Sequence, residues 1–174
     1  MVDNYSGSSE ATKLLINRGR SNILVLSGIL DSENAREKLR GFKSELERNG
    51  INFDEAYVKF GEYNSEFGYT ATECFLKSGK SLDAVFAMTD TIAIGVIQAL
   101  KAAGIHIPKD VSVVGFDNII FSEFIDPPLT TVNQPKYEMG KIAVEMLFNI
   151  MSGNKNEFER SVTLATNMVI RKST

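Results

Sequence analysis

Apolar and polar positions along the chain alternate between blocks of helical period and short continuous apolar runs. Ala11, Leu14 and Leu15 share one helical face, with Ser8 or Ser9 placed to cap the helix and Gly19 to end it. Ile23-Leu24-Val25-Leu26 is apolar on both sides, as a parallel strand covered on both faces requires. Asp31 or Ser32 opens a second helix with Ala35, Leu39, Phe42 and Leu46 at helical spacing and Gly50 beyond its end. Ala56-Tyr57-Val58 predicts a short second strand. A third helix starts at Ser65, turns Phe67, Ala71, Cys74 and Phe75 inward, and stops at Gly79. Ala84 to Met88 predicts a third strand and Asp90 to Ala103 a helix apolar over most of its surface. Gly104 and Pro108 terminate that helix, and Val111 to Val114 is a fourth strand breaking at Gly115.

Strands separated by helices of ten or more residues are crossover units, which are right-handed in nearly all sheets. The predicted fold is therefore α/β, a doubly wound, mostly parallel sheet. After Asp117 the pattern changes. Asp126-Pro127-Pro128 excludes regular helix, and Leu129 to Val132 reads as extended. A long helix from Lys136 to Met151 then aligns Met139, Ile142, Ala143, Met146, Leu147 and Ile150 on one stripe, ending at Gly153-Asn154. Val162, Leu164, Thr166, Met168 and Ile170 alternate with other residues as a last strand.

Composition narrows the functional classes. Nineteen Lys and Arg against 22 Asp and Glu leave a net charge of −3, with no basic stripe to hold nucleic acid. At 174 residues the chain can bury roughly 70% of the surface exposed when unfolded, so it needs no disulfide staple. One cysteine and one histidine exclude an internal disulfide and any thiolate- or histidine-rich metal cluster, and no cofactor or metal is expected. Met1 to Glu10 is polar and lacks the apolar core of a signal peptide, and no apolar run reaches ~18 residues. The expectation is a cytoplasmic protein without a membrane partner.

Ligands of open α/β sheets bind beyond the carboxyl ends of the strands, where loops and helix starts converge. Four loops lie there: Ser27-Gly28-Ile29-Leu30-Asp31, Gly61-Glu62-Tyr63-Asn64, Thr89-Asp90 and Asp117-Asn118. Asp90 and Asp117 can each accept from adjacent hydroxyls, and Tyr63 can lie against the apolar face of a ring, a combination suited to a small polyhydroxylated ligand. Each has a local reading as well: Asp90 as a helix cap, Asp117-Asn118 as turn residues, Tyr63 as a roof on the core. His106 reads as a solvated loop residue and Cys74 as core. Gly28, Gly61 and Gly115 are isolated and form no phosphate-cradling motif.

Several phrases together are specific. Ala84-Val85-Phe86-Ala87-Met88-Thr89-Asp90 with Ile94-Gly95, Ile107-Pro108-Lys109-Asp110-Val111-Ser112-Val113-Val114-Gly115-Phe116-Asp117-Asn118, and Pro127-Pro128-Leu129-Thr130-Thr131-Val132-Asn133-Gln134-Pro135 resemble the lactose-repressor-like (LacI/GalR) family of bacterial transcription regulators. Arg36 to Phe42 and the ending Arg171-Lys172-Ser173-Thr174 fit the same pattern, and the match runs from Val2 to the last residue. The resemblance implies the second lobe of a two-lobed, type I periplasmic-binding-protein-like effector domain. It further implies that a helix-turn-helix DNA-binding domain, a hinge and a first lobe are missing. Residues 1–134 are then the C-terminal lobe, 135–160 a crossover helix and loop belonging with the missing lobe, and 161–174 a strand and tail returning to the C-terminal lobe.

In that family effector contacts fall at positions matching Tyr63, Asp90 and Asp117. A further contact is usually an arginine where this chain has Lys38, with Arg36 nearby, and lysine offers a point charge without a planar fork. The implied effector is a sugar or sugar phosphate and the implied function is effector binding and dimerisation of a repressor-like regulator, not catalysis. Operator DNA would be reached only through the missing N-terminal domain. A fragment carrying one wall of the cleft should bind effector weakly or not at all. The stripe of helix 136–151, if buried, contributes on the order of 10 kcal/mol, so a homodimer formed by exchange or pairing of that helix is expected. Two other functions share the sheet. A lobe of a transporter's solute-binding protein calls for a signal peptide or anchoring cysteine. An enzyme calls for a phosphate loop or an acid/base pair, for which Asp90 and Asp117 are the candidates, since His106 lies at the opposite end of the sheet.

Overall fold

The computed structural model describes residues 1–29, 32–152 and 161–174. It forms helix α1 (Asn4–Asn17), strand β1 (Ile23–Gly28), α2 (Glu33–Arg48), β2 (Val58–Gly61), α3 (Ser65–Lys77), β3 (Ala84–Ala87), α4 (Asp90–Ala102), β4 (Ser112–Asp117), a single-turn α5 (Phe121–Phe124), β5 (Thr130–Asn133), α6 (Lys136–Met151) and β6 (Asn167–Val169). The strands lie in the order β2-β1-β3-β4-β5-β6; β1 to β5 run parallel and β6 pairs antiparallel with β5. This is the doubly wound, mostly parallel sheet expected from the sequence.

Two cores follow from the two faces of the strands. Ile23, Val25 and Phe86 pack with Ala11, Leu15, Leu39, Phe42 and Leu46 under α1 and α2. Leu24, Leu26 and Val85 pack with Phe75, Ile92, Val96 and Leu100 under α3 and α4.

Local chemistry shifts several boundaries from their expected places. Helix α1 begins at Asn4, not Ser8, because Asp3 Oδ1 accepts from Ser6 N at 2.9 Å. The hydroxyls of Ser8 and Ser9 face α2 instead, donating to Lys38 O (2.5 Å) and Glu45 Oε2 (2.8 Å). Ser32 caps α2 by accepting from Ala35 N at 3.2 Å, while Asp31 lies outside the described residues. The second strand starts at Val58, because Asp54 caps a 3-10 turn over Glu55–Tyr57. Cys74 is exposed, contrary to expectation: the buried seam of α3 runs through Gly68, Thr72 and Phe75, and Cys74 sits on the adjoining row. The last strand covers only Asn167–Val169, with Leu164 bridging to Val2. The expected helix end at Gly153-Asn154 lies outside the described residues.

Helix α6 has the expected bounds but buries no residue. Met139, Ile142 and Met146 are partly covered, whereas Leu147, Phe148 and Ile150 lie open at 55%, 64% and 71% exposure.

Candidate functional site

At the carboxyl ends of β1, β3 and β4, a cavity of about 330 Å³ opens between α2 and the loop after β2. Ser27, Lys38 and Met88 line its interior, Tyr63 and Asp117 its lip, and Ser32, Asn34 and Gln134 its sides. Three of the five sequence-predicted site residues thus gather in one place. Arg36 does not join them; it lies on the outer face of α2, where its guanidinium meets Glu33 at 2.8 Å. Asp90 is not on the cavity wall either.

Tyr63 is half exposed, and its ring lies on the backbone of Gly28. A Cβ at Gly28 would sit 1.9 Å from the tyrosine ring, so the absence of a side chain at the end of β1 is what seats it. Lys38 is buried at 8% exposure. Its ammonium donates to Met88 O at 2.9 Å, lies 3.8 Å from the centre of the Phe116 ring, and stands 4.0 Å from Asp117 Oδ1. Burial holds Lys38 below the ordinary lysine range against the upward pull of Asp117 and Asp90. Asp117 accepts from Gln134 Nε2 at 2.6 Å, and burial raises its carboxyl above the usual range although Lys38 pulls it down.

Asp117 and Asn118 both have left-handed backbone, with φ of 116° and 51°. Such conformations are costly for residues with side chains and persist where the surroundings over-determine them. Here Asn118 N donates to Thr131 Oγ1 (3.3 Å), Asn118 Nδ2 to Asn133 Oδ1 (2.9 Å), and Arg171 and Lys136 donate to Asn118 Oδ1 and O, both at 2.9 Å.

Asp90 supports this turn from behind. It is 0% exposed. Oδ1 accepts from Thr131 Oγ1 at 2.5 Å, while Oδ2 accepts from Ser122 Oγ (2.6 Å) and Ile119 N (2.9 Å). It does not cap its own helix; Thr89 does so, accepting from Ile92 N at 3.3 Å. Burial raises the Asp90 carboxyl above the usual range, against those three donors. Gly115 makes the room, since a Cβ there would lie 2.2 Å from Asp90 Oδ1. In this geometry Asp90 fastens Thr131, and through it Asn118.

Sequence reasoning reached the loop that begins at Ser27 but missed Met88 and Gln134 as lining residues. Gln134 follows the end of β5, so the same rule that selected the other loops reaches it once the fifth strand is admitted. A second cavity, of about 320 Å³, lies at the opposite end of the sheet beside Ser21 and Asn22, lined by Phe42, Leu46 and Phe53. The carboxylate on its wall, Asp54, is already engaged by Ala56 N and Lys80. His106, expected in a solvated loop, is exposed there and pairs with Asp110 at 3.0 Å. No helix among the described residues is long and apolar enough to cross a membrane, and no cluster of potential metal ligands occurs among them.

Comparison with known proteins adds a second line of argument. The periplasmic binding protein-like domain matches residues 12–174. The HTH-type transcriptional regulator CelR of Thermobifida fusca is 34% identical over 99% of this chain and 50% of its own length. The ribose operon repressor of Escherichia coli K12 is 36% identical over 82% of this chain and 43% of its own. Among solved structures, the complex of the regulator CelR with cellobiose superposes with a TM-score of 0.93 at 33% identity, covering 99% of this chain and 53% of that one. The chain spans about half the length of the curated relatives it matches.

Proposed function

The chain belongs to the periplasmic-binding-protein-like domain family of LacI-type transcriptional regulators, and we propose that it supplies one wall of an effector cleft for a small sugar. The observation that carries this reading is the convergence of Lys38, Asp117 and Tyr63 on one cavity at the carboxyl lip of the sheet. An aromatic ring beside a charged donor and a charged acceptor matches a ring with apolar faces and a hydroxylated edge. Asp90 is a positioning residue: it fixes the turn that presents Asp117. Arg36 contributes at most to the charge of the rim.

Residues 1–134 and 161–174 form this wall, and residues 135–160 cross over to the lobe that closes it. Closure around an effector favours one arrangement of the two lobes and changes the disposition of paired DNA-binding domains, a population shift. With one wall only, binding is weak, on the order of millimolar. The apolar side of α6 needs cover, and in isolation a second copy of the chain provides it by pairing or exchange of that helix.

The test is amide chemical-shift mapping of the chain with D-ribose, D-glucose, D-galactose and cellobiose. Saturable shifts at Lys38, Tyr63 and Asp117 with at least one of them support the reading; shifts confined to the opposite end of the sheet, or none, overturn it.

A further inference from the structure

Strand β1 presents Ile23, Val25 and Ser27 to the same face of the sheet. The first two belong to the core beneath α1 and α2, and that pattern calls for a third apolar side chain. Serine stands there instead, 0% exposed, and its Oγ is the buried side-chain oxygen that has no hydrogen-bond partner among the described residues. A buried polar group left unpaired is rare and points to a partner that arrives from outside the chain.

Its surroundings say where that partner comes from. Ser27 lines the same cavity as Lys38, Tyr63 and Asp117. Those three polar groups already have bonds within the protein: Lys38 to Met88 O, Tyr63 to Ile29 O and Asp117 from Gln134. Each keeps further capacity for a ligand, since an ammonium has three donors and a carboxylate two oxygens, but each is already partly satisfied within the protein. A ligand meeting Ser27 gains a bond and relieves an unpaired hydroxyl at once.

We propose that Ser27 is a specificity-determining contact of the cavity, reading one ligand hydroxyl or carbonyl oxygen at its floor. This rests on the effector-site reading given above. A hydroxyl donates and accepts, so Ser27 accommodates an oxygen in either role and disfavours a ligand with a C–H group at that point.

The proposal is tested with Ser27→Ala in two measurements. In the unliganded chain, the melting temperature is unchanged or rises, because the substitution removes an unpaired buried hydroxyl; a clear fall means that the hydroxyl has a structural partner and overturns the proposal. In shift titrations with the four sugars named above, the variant binds the responsive sugar roughly three- to tenfold more weakly than the parent. Equal affinity of variant and parent, with shifts still at Lys38 and Asp117, overturns the role of Ser27 and leaves the site reading standing. If no sugar moves those residues in the parent chain, the site reading falls and Ser27 falls with it.

Discussion

Replacing Asp90 with alanine removes the acceptor of three buried or partly buried donors: Ser122 Oγ, Thr131 Oγ1 and Ile119 N. Hydrogen bonds to a charged group contribute ~1.5–3 kcal/mol each, and the gain from no longer burying a carboxylate offsets part of their loss. The net cost is about 2–4 kcal/mol, a large share of a typical domain's stability. Asp90→Asn keeps one acceptor oxygen but turns an amide toward the donors, and falls between the two. The order of stability in urea unfolding at neutral pH is therefore parent, asparagine, alanine. Hydrogen exchange at Ile119 and Asn118 rises in the same order, because Thr131 loses its anchor. The pH dependence adds an independent signature. The folded-state value of Asp90 is raised above the unfolded value of 3.8, so the native chain binds this proton more tightly. Its contribution to stability is fully present below 3.8 and is lost as pH rises through the folded-state value. Asp90→Asn removes that segment of the stability–pH curve. An alanine variant within ~0.5 kcal/mol of the parent, the range of ordinary surface changes, would refute the supporting role assigned to this carboxylate.

Gly28→Ala drives a Cβ into the Tyr63 ring and displaces it, with a stability change within about 0.5 kcal/mol because the ring is the movable end of a half-exposed side chain; an unchanged Tyr63 ring environment by NMR contradicts the seating argument. Lys38→Met raises the titration midpoint of Asp117, since Lys38 pulls it down more than Lys136 does, and carbon-detected NMR of the carboxyl shows whether it moves. The same variant lowers stability at neutral pH by about 1–3 kcal/mol, because it leaves the partly buried Asp117 without its neighbouring charge and Met88 O without its donor, a loss only partly offset by no longer burying an ammonium. The exposed face of α6 predicts self-association that grows with concentration in light scattering and is abolished by Leu147→Glu with Phe148→Glu; a concentrated monomer with α6 intact excludes pairing through that face.

What could be read from the sequence was what local chemistry decides. The apolar runs, the glycines after Asn17, Arg48 and Lys77, and the apolar spacing of Leu39, Phe42 and Leu46 each act within a few residues, and the elements they predict formed. Tyr63 and Asp117 were legible because parallel sheets collect ligands at one end, a rule that needs only the order of elements. Asp90 was not, since its donors lie 29 to 41 residues away, in a loop, a single helical turn and a four-residue strand without periodic signature. A carboxylate at the head of a helix looks the same in sequence whether it faces a ligand or a buried hydroxyl. The distinction lies in Gly115, which makes room behind the site for Asp90, and in Thr131, which passes the restraint on to Asn118. Two aspartates equivalent by spacing thus divide the work. Asp90 gives up accessibility to hold a strained turn, and that restraint keeps Asp117 partly open beside Lys38 in a backbone conformation it would not adopt alone.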